Sequence, residues 1–139
     1  MTRPQVTYPD VERIVVDLLA ASMPAPTTVG VNLPADWTAG GSDPHIQVSW
    51  DGTPGDNHPI TLATTIRLVA WTDSKTTAKA LAMEAHGRLL SYSGGDDAVV
   101  GLVNILPLTG PLNASDPDHL NAELCSVTVR ATVISTPLT

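Results

Sequence analysis

Residues 60–92 read ITLATTIRLVAWTDSKTTAKALAMEAHGRLLSY, and the rest of the chain can be placed around them. The first part, Ile60 to Trp71, is rich in β-branched residues. Its alternate positions Ile60, Leu62, Ile66, Leu68 and Ala70 are apolar, with Thr64 the one polar break and Thr65 and Arg67 on the other face. A period of two predicts a half-buried strand. Asp73 and Ser74 then offer side-chain oxygens to the free amides of a helix start. Ala78, Leu81, Ala82, Ala85, Arg88 and Leu89 recur at steps of three and four, which predicts an amphipathic helix. Lys75, Lys79, Glu84 and His86 fall mostly outside that stripe, and the helix stops near Ser91-Tyr92, before Gly94-Gly95. So short a link lays the helix back across the sheet, because both apolar faces need cover.

Working outward, Tyr8-Pro9-Asp10 opens a first helix whose stripe is Val11, Ile14, Val15, Leu18 and Leu19. Pro24 and Pro26 end it. Thr27 to Asn32 is a short strand near an edge, and Leu33 to Pro44 is a loop holding Trp37, Gly40 and Gly41. His45 to Trp50 alternates, with Ile46, Val48 and Trp50 on one face. It pairs with the strand from Ile60 as a hairpin whose connection, Asp51 to Pro59, is longer than a tight turn needs. After the second helix come a strand at Ala98 to Leu106, a long polar loop at Pro107 to Asn121 and a closing strand at Leu124 to Ser135. The last of these sets Cys125, Val127, Val129, Ala131 and Val133 on one face, and Ser135 to Thr139 is a short tail. The order is helix, three strands, helix, two strands. Segregation of this kind predicts a single α+β domain over residues 1–139, with a mostly antiparallel sheet of about five strands, two helices on one face and long projecting loops.

Composition narrows the function classes. A chain of 139 residues is one domain, able to bury roughly two-thirds of its unfolded surface. The core must be built from Val, Leu, Ile and Ala, because there is no Phe. The formal net charge is -7 and the 7 basic residues are scattered. Such a surface does not grip a nucleic-acid duplex, which needs clustered Lys and Arg. Cys125 is the only cysteine, so no disulfide forms within the chain, and its place in a Val-rich strand marks it as a buried, inert thiol. No apolar run is long enough to span a bilayer and the first residues lack an apolar signal core, so a protein made in the cytosol is expected.

Chemistry is harder to find. Asp43 with His45, Asp56 with His58, and Asp118 with His119 are acid–histidine neighbours of the kind that hold zinc or iron, or that act as acid and base. Each lies in or beside a loop, where Asp and His are common as turn-forming, solvated residues. None shows the helical spacing that sets two ligands on one face. There is no Gly-x-Ser-x-Gly elbow, and neither Gly40-Gly41-Ser42 nor Ser93-Gly94-Gly95 leads into the Lys-Ser or Lys-Thr of a phosphate loop. Asp96-Asp97 reads as a charged start to a strand. Trp50 and Trp71 are placed at strand ends, while Trp37, in a glycine-rich loop, is either tucked under the domain or offered to a partner. No catalytic, cofactor-binding or metal-binding residue is assigned, and no cofactor is expected.

Several runs resemble the tail terminator proteins of long-tailed bacteriophages, especially those of phages infecting actinobacteria. They are Tyr8-Pro9-Asp10-Val11-Glu12 with the Val-Val-x-Leu-Leu helix, Val29-Gly30-Val31-Asn32-Leu33-Pro34, and Ala70-Trp71-Thr72-Asp73 leading to Ala78-Lys79-Ala80-Leu81-Ala82. Gly110-Pro111 to Asp116-Pro117 and the strand Leu124 to Val133 are also similar. The resemblance spans nearly the whole chain through loose motifs. It implies a structural virion protein, not an enzyme, that closes into a six-membered ring on the tail tube. Such a ring stops tube polymerisation and meets the head–tail connector or stopper protein at the tail–neck junction. Self, tube protein and connector are then the partners, and DNA passes through the lumen without specific binding, past acidic walls. Trp37, Asp51, Asp56, His58, Asp116 and Asp118 are the candidate partner-interface residues, because they sit on the loops that project. A neck stopper protein and a small metal-dependent enzyme built on the acid–histidine pairs are the alternative readings.

Overall fold

A computed structural model describes residues 5–51, 61–92 and 101–138. Its elements, in order, are β1 (Val6–Thr7), α1 (Val11–Ser22), β2 (Thr28–Gly30), β3 (His45–Trp50), β4 (Thr61–Thr72), α2 (Lys75–Leu90), β5 (Leu102–Ser115), β6 (Glu123–Ile134) and β7 (Thr136–Pro137). The main sheet runs β2-β3-β4-β6-β5; only β2–β3 is parallel, so the fold is α+β with a mostly antiparallel sheet. The expected strand near an edge is β2, an edge of that sheet. The expected tail instead holds β7, which pairs with β1 to tie the two ends of the described chain together. Two-residue strands leave no periodicity to read.

Both helices lie on one face. Asp10 caps α1, its carboxylate accepting from the Arg13 amide, and Ser74 caps α2 in the same way through Thr77. Val11, Val15 and Leu19 of α1 join Ala78, Leu81, Ala82, Ala85 and Leu89 of α2 over Ile46, Val48, Ile66, Leu68 and Ala70. The inward residues of β6, from Cys125 to Val133, complete this core. Arg88 ties the helices together by donating to the Ser22 carbonyl at 2.6 Å, and is steadied within α2 by Glu84 at 2.9 Å. His86 departs from the expected stripe. It is buried, and among the described residues its Nε2 has no hydrogen-bond partner.

The largest correction concerns residues 107–121. They do not form one long polar loop: β5 continues to Ser115, and only 116–122 turn. Proline and glycine suggested a loop, but β5 is the edge strand, where proline is tolerated because one row of amides lacks a strand partner. The register of β5 against β6 slips between Val103 and Leu106, between Pro107 and Thr109, and between Thr109 and Leu112. Bulges at these steps absorb the irregular residues. Asn104, with φ 53°, sits at the first. The expected strand start at Ala98 and the loop Asp51 to Pro59 fall, beyond Asp51, outside the described residues.

Gly101 has φ +91°, and a Cβ there would meet Pro9 Cγ at 2.8 Å. Gly101→Ala should therefore cost about 1–3 kcal/mol in urea unfolding. Gly110→Ala, with nothing within 4 Å of the added carbon, should stay within about 0.5 kcal/mol of the parent.

Candidate functional site

The parallel pairing of β2 with β3 forces a crossover, which in most proteins is a helix. Here residues 31–44 make the crossing as a loop. That loop folds over the sheet face away from the helices, at the end where β3 and β6 begin and β4 finishes. Trp71 is on this open face, since its neighbour Ala70 faces the helices, and it pairs with His45 on one side and Leu124 on the other. Trp37 comes down from the loop to meet it edge-on, with ring centroids 5.8 Å apart. Ala122 and the half-buried Leu33, Ala39, Val69 and Leu124 complete a second, small core.

Trp37 is therefore the tucked residue of the two alternatives, 5% exposed. Its indole N–H donates to the Asp43 carbonyl at 2.9 Å, and Trp71 donates to Gln47 at 3.1 Å. An edge-to-face aromatic pair contributes about 0.5–1.5 kcal/mol beyond its buried area. Gly40, at φ +79°, gives the loop the left-handed residue it needs to turn back.

The turn between β5 and β6 closes the other side. His119 lies edge-on to both indoles, its ring centroid 5.3 Å from that of Trp71 and 6.4 Å from that of Trp37. The acid it meets is Asp116, not its neighbour Asp118. His119 Nδ1 donates to Asp116 Oδ2 at 2.8 Å, while Asp116 Oδ1 accepts from the Asp118 amide at 2.9 Å. Asp116-Pro117 thus forms an Asx turn, which the Asp-Pro-Asp-His spelling could have signalled. The Asp118 amide, with the His119 ring helping, holds the Asp116 carboxyl below its usual range. Asn121, at φ 62°, takes the left-handed position that ends the turn.

Between the crossover loop and this turn lies a groove of about 470 Å³, walled by Trp37, Ala39, Asp118, His119 and Leu120. A second hollow of about 310 Å³ lies on the other side of Trp37, beside Asp36, Ser42 and Asp43. Of the candidate interface residues, the fold brings Trp37, Asp116 and Asp118 to this one end of the sheet. Asp51 lies elsewhere and pairs with Arg67 at 3.3 Å on the surface. Asp56 and His58 fall outside the described residues.

Asp43 and His45 do not pair either. A carbonyl can only accept, so His45 Nε2 carries the proton to Asn32 O at 3.1 Å, and Nδ1 accepts from the Thr28 hydroxyl at 2.7 Å. Burial pulls His45 below the ordinary histidine value, the Asn32 bond only partly opposing it. Burial also pushes the Cys125 thiol up, which leaves it a poor nucleophile. Among the described residues no three His, Cys, Asp or Glu side chains group as a metal site. No helix there is long and apolar enough to cross a membrane.

The surface that sequence reading missed is apolar. Leu106, Leu108 and Leu112 on β5 are each more than half exposed, and Leu120 at the turn is 85% exposed. Prolines and glycines among these leucines disguised a strand as a loop. No protein-family model matches the chain, and no characterised protein matches its sequence.

Two outcomes test this geometry. Trp37→Ala should cost about 3–5 kcal/mol in urea unfolding, as removal of a buried aromatic does. The unfolded chain takes up a proton on His45 more readily than the folded one, so stability should fall as pH drops below about 6.5. Urea midpoints at pH 7.5 and 5.5 should differ, and His45→Gln should shrink the difference.

Proposed function

We propose that this chain is a structural virion protein of the tail-terminator kind, which closes as a ring on the tip of a phage tail tube. The ring stops tube growth and presents a surface to the head–tail connector at the tail–neck junction. The observation that carries the reading is β5, a long edge strand whose residues from Leu106 to Ser115 are all exposed and include three large leucines. An isolated subunit rarely leaves so much apolar side chain in water along one element unless another surface covers it. A closed ring of identical subunits supplies such a surface without a dedicated partner, since one patch of each copy meets a different patch of the next.

The resemblance to tail terminators gives the reading its biological setting, with a six-membered ring and the tube protein as the neighbour below. The surplus of acid over base suits a lumen through which DNA slides without adhering, because like charges repel. The chain then works by shape, with its loops and edge strand as mating surfaces. Trp37, Asp116 and Asp118 contribute by fixing the end of the sheet from which one such surface projects.

Particles assembled without this protein should carry tails of uncontrolled, excessive length in electron micrographs. Tails of normal length that fail to join heads would move the protein to the neck, and intact normal particles would sink the proposal.

A further inference from the structure

We infer that copies of this chain meet by laying the 116–121 turn of one against the Leu106–Leu112 ledge of the next, with Asp118 facing Arg130. This deepens the ring reading, on which it rests, by naming the two surfaces that join. The ledge is on the open face: Leu106 pairs with Arg130 and Leu112 with Ser126, both directed away from the helices. Its leucines are 56% and 59% exposed. The three register slips in β5, together with Pro107 and Pro111, spoil its outer edge for addition of another strand. What covers the ledge therefore packs on its side chains and does not extend the sheet.

Charge selects the occupant. Arg13, Arg67 and Arg88 each pair with a carboxylate of their own subunit, at 3.4, 3.3 and 2.9 Å. Arg130 is exposed beside Leu106 and, among the described residues, has no such partner. At the other end of the face the turn carries the mirror arrangement: an exposed leucine, Leu120, next to an exposed acid, Asp118, whose carboxylate is not used within the turn. Arg130 and Leu124, where the face meets the turn, are six residues apart along β6, or about 20 Å, so Asp118 is out of reach of Arg130 in its own subunit. A second copy brings them together, leucine on leucine and acid on base. Because the two patches differ, the contact is heterologous, the kind that generates a ring where the rotation between copies closes.

The test uses the full chain in analytical ultracentrifugation across a range of concentrations and salt. Wild-type protein should self-associate more weakly as salt rises. Arg130→Asp and Asp118→Arg should each weaken association at least tenfold while leaving the circular dichroism spectrum unchanged. The doubly exchanged chain, Asp118→Arg with Arg130→Asp, should recover it. Single variants that associate like wild type, a double variant that stays dissociated, or a wild-type chain that remains monomeric throughout would each overturn the contact. Tail length in particles carrying Arg130→Asp separates the two levels. Normal tails together with unaltered association leave the ring reading standing while this contact falls; normal tails with abolished association leave the contact standing and remove the ring reading.

Discussion

Residue for residue, β4 and β6 pair without a slip from Thr61 opposite Ile134 to Thr72 opposite Glu123. Side chains alternate along both strands, so this one alignment decides which residues meet the helices and which meet the open face. Shifting it by a single position would put Ser126, Thr128 and Arg130 under α2 and send Val127, Val129 and Ala131 into water. The alignment also buries two threonines of β4: Thr64 accepts a hydrogen bond from the Trp50 indole, and Thr72 donates to the Ser74 carbonyl at 2.8 Å. The irregularity that long antiparallel pairs accumulate is displaced outward to β5, where bulges cost least.

The same alignment explains why the open face is covered at one end only. It places Trp71 beside Leu124, and an apolar pair at the sheet margin needs a lid. Two segments with no reason to be helical supply it: the crossover that a parallel β2–β3 pair requires, and the return from β5 to β6. Trp37 and His119 are the side chains through which those segments grip the sheet, the first holding its indole N–H on the Asp43 carbonyl and the second its Nδ1 on Asp116. The remaining face, floored by Ser126, Thr128 and Arg130, carries no such cover among the described residues. Order at the turn and exposure along the ledge are thus two results of the same division of labour.

Much of this was legible from residues alone. Both helices, the four longer strands and the inward faces of β4 and β6 follow from periodicity, because burial on one side writes itself into a regular spacing of apolar positions. The extent of β5 did not, since an edge strand exposed on both sides has no alternation to show and can hold Pro107, Gly110 and Pro111. Histidine partners were misjudged for a related reason: sequence neighbours suggested Asp43 with His45 and Asp118 with His119, whereas strand direction and turn geometry select Thr28 and Asp116. Whether Trp37 was inside or outside depended on a crossover whose path no local pattern encodes. His86 belongs with these, a position outside the helix's apolar stripe that is nonetheless buried.

The small ribbon of β1 and β7 has a mechanical meaning. Val6 stands opposite Pro137 and Thr7 opposite Thr136, so the two ends of the described chain leave the molecule side by side. Tension applied between them would open that ribbon one rung at a time, like a zip, before any load reached the long ladder behind it. The domain therefore carries a soft outer catch in series with a stiff interior, and a pull from either end is spent on two rungs while the sheet keeps its shape.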